Sequence, residues 1–106
     1  MARTLISVPA HAKRGEIVEI KTLIAHPMET GYRRDASGAA VPRDIIRRFV
    51  CTYNGVEVLR AELHPAIAAN PFITFHLVAE SSGEIAFSWT DDRGATQTER
   101  VQIAVG

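Results

Sequence analysis

Apolar and polar residues alternate at every second position along most of this chain. In residues 16–24, for example, Val18, Ile20 and Ile24 fall on one side and Glu19 and Lys21 on the other. This alternation is typical of half-buried antiparallel strands, and Val, Ile, Phe, Thr and Trp side chains suit a pleated surface. The pattern predicts about seven strands, at residues 4–8, 16–24, 44–53, 56–63, 72–79, 85–89 and 101–105.

Turn residues separate these strands. Asn54-Gly55 lies between two of them and predicts a type I′ hairpin, because both central residues of that turn need positive φ. Residues 81–83 and 91–94 predict two further hairpin connections. Residues 1–106 are thus predicted to form a single all-β domain, an immunoglobulin- or fibronectin-like β-sandwich of about seven strands. A Cys–Trp–Cys pattern is missing, so an antibody-type domain is not expected.

Two segments interrupt the strand pattern. Residues 28–41 are predicted to be a loop, and residues 64–70 one short helical turn that joins the two sheets. Compact domains rarely carry a long irregular loop without a use for it. Function is therefore expected around this loop and on the strand surfaces beside it.

Charge and composition exclude some partners. The 106 residues contain 12 basic and 12 acidic side chains, a balance that favours neither nucleic acid nor an anionic membrane. Residues 1–48 carry nine basic and five acidic groups, whereas residues 49–106 carry three and seven. The N-terminus lacks the apolar stretch of a secretory signal, and no apolar run approaches the ~20 residues of a membrane span.

Candidate chemistry is sparse. His11, His26, His64 and His76 contain no closely spaced pair of the kind that zinc sites usually show, and no metal or other cofactor is predicted. Cys51 is the single cysteine and lies in a strand, where it is expected to be a small buried hydrophobe with a raised thiol pKa. The sequence therefore does not predict an enzyme.

Basic residues cluster near the loop, at Arg33, Arg34, Arg43, Arg47 and Arg48. Arg47 and Arg48 are expected on opposite faces of a strand. Arg33, Arg34 and Arg43 could form a rim that binds a small oxyanion or an acidic partner. Equally, they could be a solvated edge that prevents unwanted strand pairing.

One predicted strand is apolar on both faces. Its apolar residues include Ile45, Ile46, Phe49, Val50 and Tyr53. A sandwich strand needs only one apolar face, so the second is expected to be covered by the long loop or by another subunit. A subunit interface is the preferred interpretation.

The segment His26-Pro27-Met28-Glu29-Thr30-Gly31 is the most specific part of a family resemblance. With Val41-Pro42-Arg43, residues 49–55, residues 69–72 and the Trp89-containing strand with its following turn, it makes the chain resemble the SoxZ family over nearly its whole length. SoxZ is the smaller subunit of the SoxYZ carrier of the sulfur-oxidising Sox system.

The resemblance implies an immunoglobulin-like sandwich without catalytic activity or cofactor of its own. It implies pairing with a SoxY-type subunit, whose C-terminal Gly-Gly-Cys-Gly-Gly arm holds the sulfur substrate as a cysteine adduct while other Sox enzymes process it. The chain ends at Val105-Gly106 without a terminal cysteine, so it is not expected to be the carrying subunit. The resemblance also implies a periplasmic location, reached by co-export with a signal-bearing partner.

These expectations assign roles to two surfaces. The doubly apolar strand is expected to pack on the SoxY-type subunit. The loop is expected to face the arm or an incoming Sox enzyme, through His26, Pro27, Met28, Glu29, Thr30, Gly31 and Tyr32. In the alternative, His26 and Glu29 only hydrogen-bond the loop to itself and Met28 plugs the core.

Other functions stay open from the residues alone. They are a stand-alone immunoglobulin-like adhesion or assembly domain and a small metal or redox enzyme. The sequence also leaves open whether the isolated chain forms homo-oligomers through the surface meant for its partner.

Overall fold

A computed structural model describes residues 2–64 and 69–106 of the chain. Eight β-strands form two sheets, and the all-β sandwich predicted from the sequence is confirmed. The strands are β1 (Thr4–Ser7), β2 (His11–Ala12), β3 (Ile17–Ile24), β4 (Ile46–Tyr53), β5 (Val56–Glu62), β6 (Phe72–Val78), β7 (Gly83–Asp91) and β8 (Thr96–Val105). The helical turn predicted for residues 64–70 falls largely on residues 65–68, outside the described residues.

The two sheets have the orders β1-β3-β6 and β2-β8-β7-β4-β5. The pairs are antiparallel except β2 with β8, which is parallel. The strand that the sequence did not predict is β2, which has two residues. Pro9 lies between β1 and β2, and the chain changes sheets there, since β1 pairs with β3 and β2 with β8. Proline cannot donate a ladder hydrogen bond, so it suits this break.

Two of the three predicted hairpins are confirmed. Asn54 and Gly55 have φ values of 50° and 82°, as a type I′ turn requires, and they join β4 to β5. The turn after Asp91 joins β7 to β8. The third prediction, at residues 81–83, is wrong because β6 and β7 belong to different sheets.

The crossing from β6 to β7 is fixed by side chains of the β4–β5 turn. The Tyr53 hydroxyl donates to the Ser81 carbonyl and accepts from the N–H groups of Glu80 and Ser81, at 3.2 and 3.1 Å. A Cβ added at Gly83 would lie 1.7 Å from Asn54 Oδ1. Glycine therefore lets the two connections approach each other closely.

The core between the sheets is aromatic at its centre. Phe49 and Trp89 are directly opposite each other on β4 and β7, with ring centroids 5.4 Å apart. Phe87 stacks on both, and Phe75 reaches Phe49 from the other sheet with centroids 6.3 Å apart. Burying each such ring contributes about 2–3 kcal/mol, so these contacts are a main attachment between the sheets.

The expected subunit interface on β4 is largely wrong. Ile45, Ile46, Phe49 and Tyr53 are all buried in the chain's own core, at 0%, 4%, 0% and 8% exposure. For Ile46, which lies on the opposite parity from the other three, the cause is a β-bulge. Ile46 pairs with Asp91 and Arg48 with Thr90, so β4 gains a residue relative to β7 and its side-chain parity shifts. Apart from Val50, the strand thus presents its apolar residues to the core face.

Three further residues of this strand lie outside the core. Val50 stays on the outer face and is half-buried, so its interface role remains a prediction. Arg47 is exposed and Arg48 is half-buried, and both lie outside the core. Arg47 Nε donates to the Asp91 carbonyl and Arg48 Nε to Glu62, both at 3.1 Å.

Candidate functional site

Residues 25–45 connect β3 in the small sheet to β4 in the large sheet. The sequence predicted an irregular loop here, but the segment is a hairpin. Backbone bridges join Glu29 with Asp44 and Arg34 with Ala40. Glu29 and Asp44 exchange two N–H···O=C bonds of 2.9 Å each, and Val41 donates to Arg33 at 2.8 Å. We call residues 29–44 the β3–β4 hairpin.

The tip of the β3–β4 hairpin is closed by Asp35. Its Oδ1 accepts hydrogen bonds from the Ser37 hydroxyl, the Ser37 N–H and the Ala39 N–H, at 2.7, 2.9 and 3.1 Å. The Ser37 hydroxyl and these N–H groups lower the pKa of Asp35 from its ordinary value. An aspartate that bonds the backbone two residues on is a common way to fix a turn, so the tip has a defined shape.

His26 is held in one orientation at the base. Its backbone N–H donates to Asn70 Oδ1 at 2.9 Å, and its carbonyl accepts from Asn70 N–H at 2.7 Å. The ring Nδ1 accepts from Met28 N–H at 3.0 Å, which leaves the proton of a neutral ring on Nε2. Nε2 lies 3.7 Å from Asp44 Oδ1, an oxygen without a hydrogen-bond partner in the described part of the chain.

Met28 connects the base to the core. It is 4% exposed, and its sulfur accepts the Ile46 N–H at 3.2 Å. Its φ of 53° is uncommon for a residue other than glycine. The alternative in which Met28 plugs the core is therefore the one observed, and Met28 does not face a partner.

The remaining motif residues lie on the outer part of the hairpin. Glu29 pairs with Arg33 at 2.6 Å, and this hydrogen-bonded contact lowers the pKa of Glu29 and raises that of Arg33. Thr30 Oγ1 accepts from Tyr32 N–H at 3.2 Å. Tyr32 is 85% exposed, the highest value among the exposed large hydrophobic side chains of the described residues. Pro27, which precedes the hairpin, is exposed.

The three rim arginines each donate hydrogen bonds to groups of the same chain. Arg33 pairs with Glu29, and Arg34 donates to the Gly38 carbonyl at 3.0 Å. Arg43 donates two hydrogen bonds to Asp92, at 2.8 and 2.9 Å, and this contact raises the pKa of Arg43 and lowers that of Asp92. Carboxylates thus compensate two of the three charges, while the role of the rim in binding an anion stays a prediction.

Sequence reasoning missed four residues that build this site: Asp44, Asn70, Asp92 and Arg93. Asp92 also accepts the Ile45 N–H at 3.2 Å, and Arg93 lies 3.5 Å from Asp44. Through these contacts the β7–β8 turn supports the base of the β3–β4 hairpin. Their sequence distance from the motif gave no signal, although Asp92 and Arg93 belong to the recognised 91–94 turn.

A cleft of about 460 Å³ lies beside His26. Its walls come from the N-terminal segment, the end of β3, β4 and the β7–β8 hairpin, and include Ala2, Ile24, Ile46, Trp89 and Gln97. Gln97 closes one side because its amide accepts from Ala2 N–H at 3.0 Å and donates to Ala2 carbonyl at 2.8 Å. The cleft is mostly apolar, and His26 is one of its lining residues.

Cys51 is fully buried, and burial raises the pKa of its thiol to about 12. A thiolate, the reactive form of cysteine, is therefore strongly disfavoured at neutral pH. Within residues 2–64 and 69–106, no three His, Cys, Asp or Glu side chains lie together as a metal site would need. Over the same residues, the structure contains no helix with the length and apolar character of a membrane span.

Comparison with known protein families identifies the family of this chain. Residues 6–102 match the model of the family described as sulphur oxidation protein SoxZ. The chain belongs to the SoxZ family. It is therefore a protein of the Sox sulfur-oxidation system, as its motifs indicated. A search of curated proteins finds no match.

Solved structures with the same fold include two kinds of protein. The superoxide reductase (neelaredoxin) from Ignicoccus hospitalis has a TM-score of 0.74 and 19% identity, over 99% of this chain and 82% of that one. The sulfur carrier protein SoxY from Chlorobium limicola f thiosulfatophilum has a TM-score of 0.67 and 11% identity, over 97% of this chain and 78% of that one. At these identities the likeness shows the fold, and chemistry does not follow from it.

Proposed function

We propose that this SoxZ-family chain is a non-catalytic subunit of a SoxYZ sulfur carrier, which binds a SoxY-type subunit that holds the substrate on its own cysteine. The family match over residues 6–102 is the observation that carries the proposal. The fold shared with SoxY is consistent with a carrier built from two similar sandwiches.

The state of Cys51 supports the division of labour. A protein that holds sulfur covalently needs an accessible thiolate, because the thiolate is the nucleophile. Cys51 lies in the core at 0% exposure with its pKa raised to about 12, so it is unsuited to that task. The substrate is then held by the partner's cysteine.

The β3–β4 hairpin is the surface that we assign to the carrier arm or to an incoming Sox enzyme. Its base is fixed by Met28 in the core and by the paired Glu29 and Asp44 backbones. Its outer part presents Tyr32 to solvent. An ordered hairpin loses little conformational entropy on binding, and an exposed tyrosine offers a large rigid contact.

Location follows from the same proposal. We assign the complex to the periplasm, which this chain reaches by co-export with a signal-bearing SoxY-type subunit. Cell fractionation of a strain that lacks the SoxY-type gene provides the check: this chain is then expected to stay in the cytoplasm. Its appearance in the periplasm of that strain would contradict co-export.

The proposal is tested by co-expression with the candidate SoxY-type subunit, affinity capture and intact mass spectrometry. The expected result is a one-to-one complex in which thiosulfate-derived mass is added to the partner's cysteine and none to Cys51. Failure to capture a folded SoxY-type subunit would overturn the proposal, as would a sulfur adduct on Cys51.

The role of the β3–β4 hairpin is tested separately in the reconstituted Sox system. Tyr32→Ser is expected to lower thiosulfate-dependent turnover while the SoxY-type subunit is still captured. Val56→Ser is the matched control, because Val56 is 67% exposed on β5, away from the hairpin. Equal turnover for the two variants would show that Tyr32 on the hairpin does not contribute to thiosulfate-dependent turnover.

A further inference from the structure

The outer face of the small sheet carries an apolar surface that the functions above do not use. Leu5, Leu23 and Phe72 are direct cross-strand neighbours on β1, β3 and β6. Leu5 and Phe72 are 64% and 59% exposed. A groove of about 330 Å³ runs between these three side chains and Lys21. At the opposite end of the face, Ile17 and Val78 are paired neighbours with 68% and 46% exposure.

A charged band separates the two apolar ends. Glu19 and Lys21 occupy adjacent outward positions of β3, and their charged atoms lie 3.3 Å apart. On β6, Thr74 lies beside Lys21, and His76 lies beside Glu19 with its Nε2 3.6 Å from the carboxylate. The face therefore reads, along its strands, as apolar, basic, acidic and apolar.

This order of apolar and charged positions is complementary to the same order read in the opposite direction. Positions 17, 19, 21 and 23 are symmetric about Ile20, and positions 72, 74, 76 and 78 about Phe75. Ile20 and Phe75 are themselves paired. A half-turn about an axis in the plane of the face, perpendicular to the strands at this pair, places Leu23 over Ile17 of a second copy and Phe72 over Val78. Lys21 then meets Glu19 of the second copy, twice by symmetry.

We propose that this face is a docking surface for a second copy of this chain, packed face to face about that twofold axis. A twofold interface requires a self-complementary surface, and this pattern supplies one. A half-turn about an axis parallel to the strands would instead stack Lys21 on Lys21 and Glu19 on Glu19. The charges thus select one orientation, and the apolar ends provide the attraction.

The size of the face sets the expected strength. Two strands of about seven residues and the four-residue β1, at about 3.3 Å per residue and about 4.8 Å between strands, give a flat footprint on the order of 300 Å² per copy. Standard interfaces bury about 800 Å² per partner, so this one belongs with weak, reversible contacts. The proposal goes beyond the pairing with a SoxY-type subunit, and it concerns the isolated chain.

Sedimentation equilibrium of the isolated chain, from about 10 µM to 1 mM as suits a weak interface, tests the proposal. The wild type is expected to form a reversible dimer in this range. Lys21→Glu places two acidic groups against two others and is expected to weaken the dimer about tenfold or more. Phe72→Asp should weaken it as well, while Val56→Asp on β5 should leave it unchanged.

The double variant Glu19→Lys/Lys21→Glu gives the sharpest result. It keeps opposite charges facing each other about the proposed axis, so it is expected to restore dimerisation to within about threefold of the wild type. In an equimolar mixture of the single variants Glu19→Lys and Lys21→Glu, the mixed dimer should form more tightly than the dimer of either variant alone.

Three results would overturn the proposal. They are a monomer throughout the concentration range, a dimer insensitive to these charge reversals, and equal weakening by Val56→Asp. A monomeric chain whose Phe72→Asp variant fails to capture a SoxY-type subunit would assign the face to that partner instead. The proposed function is tested separately, by capture of the SoxY-type subunit with the wild-type chain, so failure of one proposal is distinguishable from failure of the other.

Discussion

The sulfur of Met28 accepts the backbone N–H of Ile46 at 3.2 Å and joins the β3–β4 hairpin to the start of β4. Both residues are buried members of the hydrophobic core, so this contact lies within it. The most recognisable motif of the chain is therefore anchored by a core residue, and its exposed residues are positioned by that anchor.

Truncation of Met28 is expected to destabilise the fold. Met28→Ala removes buried apolar volume and the sulfur acceptor, and we expect a loss of about 2–5 kcal/mol in the free energy of unfolding. Met28→Leu keeps most of the volume and is expected to cost less than about 1.5 kcal/mol. Urea unfolding measures both. A Met28→Ala variant as stable as the wild type would contradict the core position.

Gly31 and Gly38 form a matched pair in the hairpin. Their φ values are 89° and 85°, so alanine is strained at both. A Cβ at Gly31 would also lie 3.1 Å from Arg43 Cβ, whereas none of the described atoms lies within 4 Å of a Cβ at Gly38. We expect Gly38→Ala to cost about 1 kcal/mol and Gly31→Ala about 1–3 kcal/mol.

Thermal or urea unfolding of the two alanine variants gives the comparison. Equal losses would show that the contact between Gly31 and Arg43 relaxes without cost. A greater loss at Gly38 would contradict the close approach at the hairpin base.

Asp92 is expected to make the domain sensitive to acid. Its hydrogen-bonded pairing with Arg43 lowers its pKa from the ordinary value of 3.8. A carboxylate with a lower pKa in the folded state stabilises the fold above its unfolded pKa, and this contribution is lost as pH falls through the folded value. Asp92→Asn should therefore reduce stability at neutral pH, by about 0.5–1 kcal/mol for a partly exposed pair.

The difference between Asp92→Asn and the wild type should shrink as pH falls below about 4, because protonation removes the same charge. Urea unfolding at a series of pH values measures it. Glu57→Gln is the control, since Glu57 pairs with Arg60 on the exposed surface of β5. A difference that is constant with pH would show that the charge of Asp92 does not contribute.

Cys51 is expected to be unreactive in the folded protein. Burial and a thiol pKa of about 12 both suppress the thiolate at mildly alkaline pH. Iodoacetamide should therefore leave Cys51 unmodified in buffer and alkylate it in urea, as mass spectrometry would show. Rapid alkylation in buffer would mean that the strand opens easily.

Local sequence patterns predicted most of the fold. Alternation at Val18, Ile20 and Ile24 gave β3, and Asn54-Gly55 gave the β4–β5 turn. These predictions succeed because side-chain direction in a strand and positive φ in a turn depend on neighbouring residues. The family motif, which is also local, identified SoxZ.

Long-range contacts decided the rest. A bulge opposite β7 turned Ile46 into the core, and the separation of β6 from β7 into different sheets removed the predicted hairpin at residues 81–83. Asn70 and Asp44 meet His26, and Asp92 meets Arg43, across as many as 49 positions of sequence. Sequence alone determined seven of the eight strands and the family, because both depend on short stretches of the chain. Only the tertiary structure decided which apolar residues remain exposed, because burial depends on what the other sheet and the connections cover.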